Sequence, residues 1–197
     1  MNVLEHDFYE CETLELAKNL IGKILYSRSE SGDVAGIIVE TEAYLGMADP
    51  ASHSAIGQTK RNAPMFARAG LAYVYLIYGM HHCFNVTSGP EGIGEAVLIR
   101  ALEPVLGVEL MQERRGITDS RSLCNGPGKV CKSFNIDRSF NYTSLVDGDL
   151  TIRQPPPESP LKNKIVTTTR IGITKGIELS YRFILDGSHY ISRSMKI

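Results

Sequence analysis

The stretch VETEAYLG, residues 39–46, constrains the fold of this chain more than any other. Preceded by Gly36, Ile37 and Ile38, it reads as a buried β-strand over about residues 35–45. Strand side chains alternate between faces, so Glu40, Glu42 and Tyr44 point one way and Val39, Thr41, Ala43 and Leu45 the other. An ionised carboxylate without a partner is costly in a protein interior, so the two glutamates need either cations or a polar cleft. Same-face neighbours lie roughly 6.5–7 Å apart, close enough for one acid to raise the pKa of the other. A carboxylate that takes up a proton near neutral pH is a candidate general base. On an edge strand the same pattern would be a pair of surface glutamates.

The 197 residues suffice for one sizeable core, and the expectation is a single domain spanning residues 1–197. No apolar run reaches the length of a membrane-spanning helix. The first residues, MNVLEHDFYE, carry acids where a secretory signal needs an apolar stretch. The four cysteines have irregular spacing without a CxxC, as expected of free thiols in a reducing compartment. An intracellular protein is expected, and not one at a membrane.

Along the chain, residues 14–25 have helical apolar spacing, with Thr13 as N-cap. Residues 46–70 are rich in Gly, Ala, Pro and Asn and read mainly as loop. LAYVYLIYGMHHCFNVT reads as a hairpin bending at residues 78–81, because Gly79 interrupts a β-rich run. EAVLIRALEP reads as a strand containing Arg100, and residues 105–116 as an amphipathic helix closed by Gly116. NGPGKVCKSFNI leads from a turn into a short helix, and RQPPPESP is a surface loop. YRFILDGSHYIS reads as strand, Asp-Gly turn and strand. Long helices do not regularly separate the strands, so the fold class is α+β with mostly antiparallel pairing.

A net charge of −1 argues against a nucleic-acid partner, but its distribution does not. Residues 50–90, 120–136 and 159–177 contain no Asp or Glu, and the first of these segments carries Lys60, Arg61 and Arg68. If the three segments share a face, that face has the positive field a polyanion needs; otherwise they are solvated loops. In the hairpin, Tyr73, Tyr75 and Ile77 share a face, while Tyr78 falls at the bend. An aromatic ring protruding there suits a wedge entering a base stack, the alternative being a ring folded back over the sheet. His53 is placed to lie over the Glu42 face, or else is simply solvated. GPGK lacks the spacing of a phosphate-binding loop, and HHC lacks a second cluster with metal-ligand spacing, so neither a cofactor nor a metal is expected.

Together, VETEAYLG, ASHS, TKRNAPMF, YVYLIYGMHHCFNV, AVLIRALEP and NGPGKVCK closely resemble the alkyladenine (3-methyladenine) DNA glycosylases. The resemblance covers most of the chain. It implies a curved antiparallel sheet with surrounding helices and a hairpin that inserts into DNA. It implies a monomer acting on double-stranded DNA that contains a damaged purine (3-methyladenine, 7-methylguanine or hypoxanthine). The purine is flipped into a pocket and its N-glycosidic bond hydrolysed, without strand cleavage. Residue by residue, Glu42 matches the glutamate that activates water, Arg100 the arginine that helps hold that water, and Ile171 a residue whose carbonyl does the same. Tyr44 and Tyr75 match the aromatics that sandwich the base, with His53 at its edge and Asn85 crowding the 2-amino group of guanine. Tyr78 matches the ring that fills the gap in the stack, and Met80, Thr59, Lys60 and Arg61 fall at DNA contacts. The match leaves Glu40 as a supporting ion-pair partner. The loop at residues 53–59 is one residue shorter than in mammalian relatives and SGPEGIGE two longer, both expected near the base and DNA contacts.

Two other readings compete. A non-catalytic nucleic-acid-binding module would use Tyr73, Tyr75 and Tyr78 as a stacking platform, but leaves Glu42 without a purpose. An unrelated hydrolase using the Glu40/Glu42 pair would need neither a protruding Tyr78 nor acid-free segments.

Overall fold

The computed structural model describes residues 1–156 and 164–193. Its frame is one antiparallel sheet of eight strands: β1 (Ile24–Ser27), β2 (Val34–Tyr44), β3 (Ala72–Ile77), β4 (His81–Ser88), β5 (Glu95–Leu106), β6 (Leu150–Arg153), β7 (Ile165–Thr168) and β8 (Arg182–Leu185). The order β3-β4-β5-β2-β1-β6 puts β2 in the middle. Along one edge β2 pairs with β5; along the other it pairs first with β1 and then, at Glu40 to Glu42, with β8. Pairing on both edges explains why this strand reads as a core strand despite its two glutamates. Gly36 permits the close approach of β5, since a Cβ there would lie 3.0 Å from Leu102 Cβ and 3.1 Å from Glu103 O.

The α+β expectation and the curved antiparallel sheet hold. The faces of β2 divide as the alternation demands. Val39, Thr41 and Ala43 join the apolar side, where Thr41 Oγ1 donates to Ala17 O of helix α1 (Thr13–Asn19) at 2.8 Å. On that side α1 and helix α3 (Pro127–Phe134) cover the sheet, burying Leu16, Leu20, Ile38, Phe84, Ile99, Val130 and Phe134. Glu40, Glu42 and Tyr44 occupy the opposite face.

Several boundaries differ from the sequence reading. The first helix stops at Asn19, and Ile24 and Leu25 belong to β1, because Gly22 turns the chain at φ +83° and the strand finds partners on both sides. Thr13 is the first helical residue; its hydroxyl contacts Ser88 and Glu95 instead of capping. Val105 and Leu106 remain in β5, and helix α2 (Val108–Arg115) begins only after Gly107 reverses the chain at φ +67°. Gly116 closes that helix as expected, but its apolar face is narrow, with Met111 alone buried. The C-terminal hairpin is absent from the described residues: after β8 the chain turns at Gly187, and β8 instead pairs with β2 and β7. Of RQPPPESP, residues 157–160 lie outside the described residues.

The β3–β4 hairpin does bend at Tyr78 and Gly79, both with positive φ (+53° and +69°), and Met80 N–H donates to Ile77 O at 3.2 Å. This is the mirror-image turn that fits strand twist. Tyr78 is 82% exposed and Met80 71%. No described helix is long and apolar enough to cross a membrane.

Candidate active site

On the Glu42 face lies an open cavity of about 540 Å³, lined by Tyr44, His53, Tyr75, Asn85, Arg100 and Ile171 among others. Six positions singled out in the sequence, spread from Tyr44 to Ile171, therefore meet in one place. Tyr78 reaches its rim. All three acid-free segments contribute to the lining: the first through Pro50 to Asn85, the second through Pro127, and the third through Ile171 to Lys175.

Beneath the cavity, Glu42 is fully buried and each of its oxygens is occupied. Ile171 N–H donates to Oε1 at 2.7 Å; Arg100 Nη1 and Tyr44 OH donate to Oε2 at 3.1 and 2.9 Å. Burial pushes the Glu42 carboxyl above the usual carboxylate range, against the opposing pull of Arg100, the Ile171 N–H and the Tyr44 hydroxyl. Glu40 adds to the rise but is the least of these causes, so desolvation and not carboxylate pairing dominates. The second carboxylate, expected from the strand alternation to raise the pKa, acts in that direction but is not the leading cause.

Glu40 resolves into a structural role. Its carboxylate accepts from Arg100 Nε at 2.9 Å, Arg182 Nε at 2.7 Å, and the backbone N–H and hydroxyl of Ser192 at 2.5 and 2.8 Å. Arg100 thus spans both glutamates. Register shifts on either side of Glu40 leave Arg100 without a direct partner in the β2–β5 ladder, an irregularity of the kind that re-aims a side chain.

The walls are aromatic. Tyr75 meets His53 edge-on at 4.5 Å between ring centres, and His53 Nδ1 shares a hydrogen bond with Tyr73 OH at 2.9 Å. Burial and, after it, the Arg61 charge lower the His53 pKa, which favours the neutral ring. Asn85 Nδ2 donates to Tyr73 O at 3.0 Å, which fixes the orientation of its buried amide. Arg61 leans on the hairpin: its Nη2 donates to Leu76 O at 3.2 Å, and its guanidinium carbon lies 5.3 Å from the centre of the Tyr75 ring. Thr59 N–H and Oγ1 are bound to the buried Asn62, and Lys60 is exposed. Among the described residues no cluster of His, Cys, Asp or Glu is arranged to hold a metal ion.

One segment falls elsewhere than expected. Gly89, Pro90, Glu91 and Glu95 of SGPEGIGE line a second cavity, beside Glu10 to Leu14. They sit at the end of β4 remote from Tyr78, since Ser88 closes the strand that His81 opens.

Sequence reasoning missed Asp49, Arg170, Arg182 and Ser192. Arg170 Nη1 and Nη2 grip the two oxygens of Asp49 at 2.5 and 2.7 Å, and both side chains are buried. The available signal was position: Arg170 adjoins Ile171, and Asp49 is the last acid before the longest acid-free segment.

The methylpurine-DNA glycosylase family model matches residues 7–189. A protein of Methanoculleus marisnigri is 56% identical over 188 residues, covering 94% of this chain and 96% of that relative. A Francisella tularensis protein is 44% identical over 194 residues, 98% of this chain and 100% of its own. A Chlorobaculum tepidum protein is 44% identical over 195 residues, 98% of this chain and 92% of its own. All three carry the provisional name 3-methyladenine DNA glycosylase.

Proposed function

The chain belongs to the methylpurine-DNA glycosylase family, and from that premise we propose how its residues excise an alkylated base from DNA. It is a DNA glycosylase, cutting N-glycosidic bonds and leaving an abasic site. The substrate in this proposal is a duplex with a damaged purine (3-methyladenine, 7-methylguanine or hypoxanthine) met by a monomer of this chain. The flipped purine enters the cavity between Tyr44 and Tyr75, with His53 at its edge. Each base–aromatic stack is worth about 1–3 kcal/mol, comparable with the few kcal/mol that extrusion of a base costs. A cationic alkylated purine gains a further cation–π contribution from the tyrosine faces.

Glu42 is the general base. A water oxygen attacks C1′, its proton passes to the Glu42 carboxylate, and the glycosidic bonding pair leaves with the purine. A cationic purine departs neutral by accepting that pair, so it needs no separate acid. Arg100 and the Ile171 carbonyl hold the water, Asn85 excludes the guanine 2-amino group, and Tyr78, with Met80 beside it, occupies the gap in the stack. Thr59, Lys60 and Arg61 face the phosphate backbone, Arg61 also bracing the hairpin through Leu76 O.

The observation that carries this reading is a buried carboxyl with raised pKa two residues from Tyr44, a wall of the cavity. A module that only stacks bases has no use for such a carboxyl, since its burial costs stability. The test is incubation with duplexes carrying each of the three lesions, followed by alkaline cleavage at abasic sites. Lesion-dependent cleavage is expected, and intact strands with all three would refute the reading.

A further inference from the structure

Asp49 and Arg170 are not among the residues that line the cavity, yet three parts of its wall meet them: the end of β2, the loop that follows it, and the segment of Ile171. The Asp49 carboxylate accepts from Leu45 N–H at 3.2 Å and Ala51 N–H at 3.0 Å, so it folds back the loop that runs from β2 towards His53. It also takes both terminal nitrogens of Arg170. Arg170 Nη1 donates in addition to Ala43 O at 3.0 Å, at the end of β2. The guanidinium carbon lies 4.7 Å from the centre of the Tyr44 ring and 5.3 Å from that of Tyr181. The pair is 2% and 6% exposed, and the residue after Arg170 is Ile171, whose N–H is bound to Glu42. A planar fork held at both ends fixes direction as well as distance, which a lysine cannot do.

We infer that the Asp49–Arg170 pair is a positioning device that registers the Ile171 N–H on Glu42 and backs the Tyr44 wall with the same guanidinium. This rests on the reading of Glu42 as the general base. The charged and titratable groups around Glu42 are Arg100 from β5, Glu40 and Tyr44 from β2, Cys83 from β4 and Arg170, with Arg182 of β8 opposite in register and bound to Glu40. Of the groups that favour its ionised form, the pair reaches two: the Ile171 N–H, next in the chain to Arg170, and the Tyr44 hydroxyl, whose chain neighbours Ala43 and Leu45 it binds.

The test is the pH profile of single-turnover excision of 7-methylguanine from a duplex, for the parent, Asp49→Asn and Arg170→Lys. That base leaves without added protonation, so the acid limb reports the general base. Displacing the Ile171 N–H removes support for the ionised carboxylate. The limb should then move to higher pH by about one unit, the effect of one hydrogen bond to a charged group. On the acid side each variant is about tenfold slower, while on the alkaline plateau the rate returns to within several-fold of the parent. An acid limb superimposed on the parent's, with only a lower plateau or a lower Tm, would make the pair a merely structural tie. Failure of both variants to fold would assign it to the core in the same way. A parent profile without an acid limb would overturn both inferences, by removing Glu42 as the base.

Discussion

Ile171 donates its backbone N–H to Glu42 Oε1 at 2.7 Å, across 129 positions of sequence. That bond, with those from Arg100 and Tyr44, leaves a buried carboxyl ordered in direction but still raised in pKa. A group so arranged is held ready to accept a proton while its surroundings resist its charge.

Glu42→Gln should abolish excision and leave binding to lesion DNA within several-fold, because shape and position persist while basicity is lost. Single-turnover rates near the parent's would exclude Glu42 as the base. Glu40 behaves differently, since it neutralises Arg100 and Arg182 in the interior. Glu40→Ala should lower stability by about 3–5 kcal/mol, the usual result of removing one partner from a buried ion pair. Chemical denaturation measures this directly.

The raised pKa of Glu42 also has a sign in stability. A carboxyl whose folded-state pKa exceeds its unfolded value stabilises the native state below the unfolded pKa, about 4.3. That contribution is lost as pH rises through the folded value. Glu42→Gln does not titrate, so its Tm relative to the parent should be more favourable at pH 7 to 8 than at pH 4. A difference in Tm that is flat with pH, or runs the other way, would contradict the raised pKa.

Tyr78 sits at φ +53°, a conformation uncommon for a bulky residue, and is 82% exposed. Tyr78→Ala should shift the flipping equilibrium towards the stacked base by about 5- to 150-fold, one stacking contribution. Tyr78→Phe should keep most activity. Tyr78→Gly should lose the wedge yet fold at least as stably, because glycine adopts positive φ without steric cost. Fluorescence of 2-aminopurine beside the lesion reports the flipped fraction. Normal flipping by Tyr78→Ala, together with a Tm several degrees lower, would make the ring a packing residue.

Asn85→Ser should increase release of undamaged guanine from unmodified duplex and affect adenine-type lesions less. The amide is held by its bond to Tyr73 O, so it cannot swing aside to admit an exocyclic amino group. Guanine release equal to the parent's would exclude this role.

The sequence by itself determined whatever depends on short-range pattern. The two-residue period of VETEAY assigned Glu40, Glu42 and Tyr44 to one face and the core residues to the other. Gly79 located the hairpin bend and left Tyr78 at its tip. Gly116 ended a helix, and six ordered motifs carried the family resemblance. Where local pattern was ambiguous the reading slipped: apolar spacing extended α1 into β1 and α2 into β5, because only pairing partners elsewhere in the chain made those residues strands. Tertiary structure alone decided which charges compensate each other. Glu40 meets Arg182 and Ser192, and Asp49 meets Arg170, across separations of 121 to 152 residues. No local periodicity encodes such pairings. Desolvation likewise depends on everything packed around a group, so the leading cause of the raised Glu42 pKa exists only once the sheet, the aromatic wall and the Ile171 segment have closed around it.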